Sequence, residues 1–401
     1  MLLSLALILI CGFAASGVLQ KLRLPPLLGM MVVGMVLGPH GLGLIDPVLL
    51  AVSPEIRQVA LIVVLIRAGL SLEPRTLRRV GRPALLLCFL PSTVEIIVIT
   101  LLAPVLLGIP VIEAAVLGAV LAAVSPAVVV PRMLQLTEQG YGTQQGVPQM
   151  VMTGAAVDDV YVVVLFTALL RMAQAGSFAP LSLLQVPVSI LLGLLLGVAG
   201  GQFAAVVFCR FHLRDTVKVL LLLALSFLFV ALEAALKPLL PVSGLLAVVT
   251  MGALLRQKNA AMARRVAVKF SKVWVGAEPV LFVLVGAAVD LGALAQSGVA
   301  ALGVILAGLL VRAVTVLFCT AGRTFNLKQR LFAAVAYLPK ATVQAALAGL
   351  PLAAGLSAGG TILAVAVLAI LVAAPLGAVG IDLLGTKLLP PAPQPGAETE
   401  V

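Results

Sequence analysis

The chain has 401 residues, of which 62% are hydrophobic and only 10% charged, with a net charge of +11 and a mean hydropathy of +1.23. A soluble surface needs roughly 25% charged residues. A soluble enzyme, a nucleic-acid-binding domain and a secreted scaffold are therefore excluded as readings of the whole chain, and the basic excess needs a membrane explanation. The four cysteines (Cys11, Cys88, Cys209, Cys319) lie in or beside apolar runs with no CxxC spacing, and the two histidines (His40, His212) lie near segment ends. Neither pattern signals a disulfide or a metal site.

A spanning helix takes about 20 apolar residues, and the Leu/Val/Ala runs lack the period-2 alternation of a barrel. The expected fold is an all-α polytopic membrane protein with about thirteen spans. In chain order they are roughly 1–19, 24–43, 57–72, 83–107, 110–135, 147–172, 181–208, 216–236, 241–256, 271–290, 298–321, 328–354 and 358–385. The first run resembles a signal-peptide core but lacks a basic n-region, so it is expected to be a retained span. The third and ninth are short. The basic stretch 256–272 is read as an amphipathic surface helix or a topogenic loop, and the Pro-rich tail 389–401 as disordered.

The connections after odd-numbered spans, with the C-terminus, carry 20 of the 26 basic residues; the opposite side carries Arg57, Arg171 and Lys237. This asymmetry predicts an N-terminus outside and a C-terminus in the cytoplasm. The expected location is a bacterial inner membrane. The basic residues then anchor topology beside membrane lipid, and no nucleic-acid partner is implied.

A shift of about 217 residues superposes landmarks. Pro26-x-x-Gly29 meets Pro241-x-x-Gly244, Gly69 and Glu73 meet Gly286 and Asp290, Glu95 meets Arg312, and Pro126 falls near Pro339. Partners lie seven spans apart, so the halves run in opposite directions, as in secondary transporters built from inverted repeats. The expected division is a first repeat at 1–180 (spans 1–6), a linker helix at 181–215 (span 7), a second repeat at 216–388 (spans 8–13) and the tail. Spans 5 and 12 are expected to be broken. Pro126 and Pro131 in the first, and Pro339 beside Lys340 in the second, remove backbone hydrogen bonds at mid-membrane, where irregular backbone survives only if protein or water covers it.

Asp158 and Asp159 lie in the middle of span 6. A charge there costs about 2.5–3.5 kcal/mol on insertion scales, which points to function. Their side chains leave the helix about 100° apart, so one can face an ion while the other faces a cation of the protein. A buried carboxylate holds a proton or a metal cation in competition. Lys340 is expected to pair with Asp158. Arg67 is expected to pair with Glu95 in a structural or gating role, and Arg312 is a further deep charge. Ser125, Thr153 and Thr342 are candidate neutral oxygen ligands. Glu113, Glu233 and Glu278 read as helix-end residues.

The Arg67-Ala-Gly-Leu segment, Ser125-Pro-Ala-Val-Val-Val-Pro, the following QGYGTQQGVP, Asp158-Asp159 and Leu338-Pro-Lys-Ala-Thr-Val-Gln-Ala-Ala resemble the sodium/proton antiporters of the NHA subgroup, within the monovalent cation:proton antiporter superfamily. The resemblance implies the inverted-repeat antiporter fold, a homodimer and an elevator-like motion of a core domain past a dimer domain. By motif, Asp159 resembles the ion-binding aspartate, Asp158 its lysine-paired neighbour and Arg312 a second basic residue of the core. The reading is a secondary active transporter, not an enzyme. It exchanges Na⁺ or Li⁺ for H⁺ by alternating access, with Na⁺ at Asp158 and Asp159 and no cofactor. A K⁺/H⁺ antiporter, or an anion or organic-acid symporter on the same fold, stays open. An intramembrane aspartyl protease is disfavoured, since its aspartates must face each other from two helices to share one water.

Overall fold

A computed structural model describes residues 1–22, 24–71, 81–175, 180–211, 213–236, 240, 242–289, 291–322 and 325–391. Glu73, His212, Lys237, Pro241, Asp290 and tail residues 392–401 lie outside the described residues. The helices in chain order are α1 (Leu2–Lys21), α2 (Pro26–Leu37), α3 (Pro47–Ala51), α4 (Ser53–Ser71), α5 (Arg82–Leu87), α6 (Leu90–Leu107), α7 (Val111–Ala122), α8 (Pro126–Glu138) and α9 (Val147–Ala175). They continue with α10 (Pro180–Arg210), α11 (Asp215–Leu236), α12 (Gly244–Lys258), α13 (Ala260–Ala287), α14 (Leu291–Cys319), α15 (Leu327–Ala336), α16 (Thr342–Ala348), α17 (Leu350–Ala353) and α18 (Gly359–Leu388). Among the described residues the only β-type pairing is an isolated bridge between Tyr141 and Pro391. Nine helical stretches of the described chain are long and apolar enough to cross a membrane.

Local chemistry sets the helix ends. Proline at the first helical position starts α2, α3 and α8, where a missing N–H costs nothing. Gly108, with φ 66°, closes α6 in the left-handed conformation. Asn326 and Gln329 form a reciprocal capping box on α15.

Asn259 ends α12, and its side chain accepts from the Met262 amide at 2.9 Å to cap α13. The basic stretch 256–272 is thus neither a surface helix of its own nor a loop. Beyond the cap it is the first half of α13, because Met262, Ala263, Val266 and Phe270 give it a buried stripe at helical spacing. The tail also differs from expectation at its start. Leu389 is buried, and the Gly142 amide donates to the Pro390 carbonyl at 2.9 Å.

The helices pack as two groups. One contains α1, α2, α4, α11, α12 and α13; the other contains α5–α9 and α14–α18; α10 lies along α12. The groups meet where α16 lies against α4 and α13, and where α9 lies against α12. Two close approaches in the first group rest on glycine. A Cβ on Gly34 of α2 would lie 2.0 Å from the Val283 carbonyl of α13, and one on Gly286 of α13 would lie 2.2 Å from the Met31 carbonyl of α2. The pair α4 and α12 repeats the pattern, with Gly69 against the Val249 carbonyl at 2.4 Å and Gly252 against the Leu70 amide at 2.9 Å. Such small-residue contacts let helices approach where lipid provides no hydrophobic drive between them. At the centre of the second group α16 is buried along its whole length, and α7 from Glu113 onward. By contrast α1, α6, α10, α11 and α14 expose Leu, Val and Phe to the surroundings.

Candidate functional site

Helix α7 stops at Ala122, and residues 123–125 are extended before Pro126 starts α8. Helix α15 stops at Ala336, and residues 337–341 are irregular before α16. The two irregular stretches meet, and the Ser125 amide donates to the Pro339 carbonyl at 2.8 Å. A helix end leaves its last carbonyls without intrahelical partners, and in an apolar interior each needs a donor. Here Lys340 Nζ donates to the Leu121 carbonyl, an Arg312 guanidinium nitrogen to the Ala122 carbonyl, and Gln344 Nε2 to the Ala123 carbonyl. Two of these three donors are cations at the negative end of the α7 dipole, the favourable sign.

The same cations belong to a buried ladder of alternating charge. Lys340 Nζ lies 2.7 Å from Glu95 Oε1, Glu95 Oε2 lies 2.6 Å from Arg312 Nη1, and Arg312 Nη2 lies 2.7 Å from Asp158 Oδ2. Every side chain in it is 2% exposed or less. Asp158 also takes hydrogen bonds from the Ser92 hydroxyl and, at 3.3 Å, from the Val124 amide. Arg312 Nε donates to the Tyr337 carbonyl at 2.9 Å. Two carboxylates and two cations make the ladder neutral. Asp159, 2% exposed, stands outside it. Among the described residues its Oδ1 has no hydrogen-bond partner and no cation reaches salt-bridge distance of it. Ser125 Oγ is likewise fully buried, without a hydrogen-bond partner among the described residues.

The sequence profile of the family described as "Sodium/hydrogen exchanger, transmembrane" matches residues 5–385. The chain belongs to that family. It is thereby an integral membrane protein of the monovalent cation:proton antiporter superfamily. Sodium/hydrogen exchanger 9B2 of Mus musculus is 33% identical over 338 residues, which are 82% of this chain and 60% of the mouse protein. The human 9B2 protein is 33% identical over 86% of this chain and 65% of its own length, and human 9B1 is 33% identical over 88% and 70%. The chain thus spans about 60–65% of the length of the mouse and human 9B2 proteins. In fold it is similar to the sodium proton antiporter MjNhaP1 from Methanocaldococcus jannaschii at pH 8. That match has a TM-score of 0.83 and 20% identity, and it covers 96% of this chain and 97% of the other.

Within this exchanger-family chain, two expected pairings are corrected. Lys340 bonds Glu95, not Asp158, because it leaves the irregular stretch beside the end of α7, where Glu95 faces it from α6. Asp158 is paired instead by Arg312, whose planar fork reaches both Asp158 and Glu95. Arg67 does not reach Glu95. It lies on α4 with its guanidinium 5.6 Å from the Trp274 ring centre of α13, in the other helix group.

Thr153 lies half-buried on α9, with no hydrogen bond joining it to the aspartates. Pro126 opens α8, Pro131 sits inside α8, and Pro339 packs so closely on Gly377 of α18 that a Cβ there would lie 2.3 Å from its ring. Glu113 caps α18, accepting from Ser357 at 2.6 Å and from the Ala358 amide at 2.7 Å. The sequence reading gave no role to Ser92, which no motif marks, or to Gln344, which lies inside the Leu338–Ala346 motif. The Glu95–Arg312 contact did have a signal, since the 217-residue shift already set these two positions against each other.

Proposed function

We propose that this chain is a secondary active transporter that exchanges Na⁺ or Li⁺ for H⁺. The observation that carries the proposal is the unpaired buried carboxylate of Asp159 beside a charge ladder that is already neutral. A bare carboxylate in an apolar interior is costly. A proton or a monovalent cation removes the cost, and one site cannot hold both well. The loaded site therefore passes between the two membrane faces far more readily than the empty one. That inequality couples the inward flux of one ion to the outward flux of the other. Ser125 and Thr153 supply neutral oxygens to the cation, while Asp158, fixed by Arg312 and Ser92, orients the irregular backbone at Val124.

In this reading the nine long stretches, together with α2, α4, α12 and the α15–α16 segment, make thirteen crossings, with spans 5 and 12 interrupted at residues 123–125 and 337–341. An inverted repeat of 1–180 and 216–388 about a linker at 181–215 is supported by the matched packing of α2 on α13 and α4 on α12, and by the contact between Glu95 and Arg312. The α5–α9 and α14–α18 group moves as the core against the other group, in a homodimer, giving alternating access. The protein sits in a bacterial inner membrane with its N-terminus outside and its C-terminus in the cytoplasm, as the basic residues of its connections favour.

The test is ion-dependent dequenching of a pH-sensitive dye in proteoliposomes, with Na⁺, Li⁺ and K⁺ compared. Na⁺ and Li⁺ restore fluorescence, K⁺ does not, and Asp159→Asn is silent while melting like the wild type. Wild-type rates in that variant would end the assignment. A response to K⁺ alone would convert it to K⁺/H⁺ exchange.

A further inference from the structure

Tyr337 is fully buried at the start of the irregular stretch after α15, and among the described residues its hydroxyl has no hydrogen-bond partner. A buried tyrosine ordinarily finds a partner for its hydroxyl, because an unpartnered one gives up its hydration for no return. The contribution of this side chain therefore lies in its ring. The Arg312 guanidinium carbon lies 5.8 Å from the ring centre. The far end of the ring meets α9 at Gly154, where a Cβ would lie 1.8 Å from the hydroxyl oxygen and 3.1 Å from Cζ. Gly154 precedes Asp158 by four residues, so the two share a face of α9. Val151 and Ala155 of α9 and Val316 and Cys319 of α14 belong to the same buried cluster as the ring. Val316 and Cys319 follow Arg312 at helical spacing. The ring is thus wedged between the helix that carries both aspartates and the helix that carries the arginine.

The charge of Arg312 is felt at both aspartates, yet of the two only Asp158 is hydrogen-bonded to it. Its Nε is fixed by the Tyr337 carbonyl, and its Nη1 by Glu95 and the Ala122 carbonyl. The ring fills the space into which the guanidinium would otherwise relax, and the attraction of a desolvated cation to an aromatic face adds to the hold. We propose that Tyr337 is a positioning residue: its ring, seated on Gly154, keeps Arg312 on Asp158 and so leaves Asp159 free for the transported cation. This assignment rests on the exchange reading given above. With the ring removed, the guanidinium shares itself with Asp159 and competes there with the incoming ion.

The test compares Tyr337→Phe and Tyr337→Leu in the full chain. In proteoliposomes Tyr337→Phe keeps the wild-type KM for Na⁺ or Li⁺. Tyr337→Leu raises it about tenfold with kcat within about twofold, the pattern of a weakened ion site. A fall in kcat at unchanged KM would mean packing damage alone, and equal effects of Phe and Leu would mean a working hydroxyl; either overturns the proposal. Should Tyr337→Leu not fold, Gly154→Ala, which displaces the ring without removing it, reads the same rise in KM. A second readout needs no transport. Dicyclohexylcarbodiimide, which modifies protonated carboxyl groups in apolar surroundings, is applied to the detergent-purified chain, and the modified residue is found by mass spectrometry. Asp159 is modified in wild type and in Tyr337→Phe, and much more slowly in Tyr337→Leu; equal rates, or an unmodified wild type, would sink the assignment. A wild type that is modified at Asp159 but exchanges no cation would instead remove the proposed function and leave the positioning role to the labelling. Melting temperature checks the seat: Gly154→Ala lowers it, and adding Tyr337→Phe restores most of the loss, because the oxygen 1.8 Å from the new Cβ is gone. No restoration would show that Gly154 is not the seat of the ring.

Discussion

The contact between Lys340 and Glu95 separates the structure's arrangement of charges from the pairing of Lys340 with Asp158, and a double-mutant cycle measures it. Removing one member of a buried ion pair costs about 3–5 kcal/mol, because the other is left uncompensated. In Lys340→Met the stem volume is kept, and Glu95 retains Arg312 at 2.6 Å, so the cost belongs at the low end, about 3 kcal/mol. An unfolding entropy of roughly 2.1 cal/mol/K per residue amounts to about 0.8 kcal/mol/K for 401 residues. The midpoint should then fall by about 4 °C. Adding Glu95→Gln removes one charge of the opposite sign and leaves Arg312 with Asp158 as a neutral pair, so most of the loss should return. Pairing Lys340→Met with Asp158→Asn also balances the charge count, but it breaks the contacts of Asp158 with Arg312, Ser92 and the Val124 amide. The coupling of Lys340 to Glu95 should therefore exceed its coupling to Asp158 by about 1 kcal/mol or more, the scale on which contacting residues depart from additivity. The assay is thermal unfolding of the four variants of each cycle in one detergent. A larger coupling to Asp158, or a Lys340→Met variant within about 1 °C of wild type, would refute the ladder.

Proton and Na⁺ competition at one carboxylate predicts that the apparent KM for Na⁺ rises as pH falls, approaching tenfold per pH unit where one proton competes, since one pKa unit and a tenfold affinity change are the same free energy. A KM flat from about pH 6 to 9 in a proteoliposome grid would remove the shared site. Gly34→Leu should abolish recovery of folded protein in size-exclusion chromatography, because its Cβ meets backbone at 2.0 Å, whereas Gly276→Ala, with nothing within 4 Å of its Cβ, should be tolerated. In a background without the native cysteines, Ala261→Cys should be labelled only from the cytoplasmic face and Leu42→Cys only from outside; labelling of both from one side would contradict the orientation.

Hydropathy and proline were sufficient for much of this molecule. Long apolar runs with few charges must become helices in lipid, because no solvent is there to satisfy free backbone groups, and the helices follow those runs from Leu2 to Leu388. Prolines 126 and 339 marked where regular helix gives way, since the ring forbids the interior bond wherever it stands. The cost of burying Asp158, Asp159, Lys340 and Arg312 is legible in the sequence, because that cost depends on residue type and depth alone.

Which charge meets which was a tertiary decision. The ladder joins residues 154 to 245 positions apart, and a sequence fixes the order of helices along the chain but not the rotation of each about its axis. A turn of one residue, about 100°, moves a side chain from one partner to another. That rotation gives Asp158 to Arg312, Lys340 to Glu95 and Arg67 to the face of Trp274. It is set by the packing of small residues such as Gly34 on Val283 and Gly377 on Pro339, a steric fit that no local pattern encodes. The isolation of Asp159 follows in the same way: its neighbour has taken the nearby cation, and only the assembled bundle determines which of two adjacent aspartates is left without one.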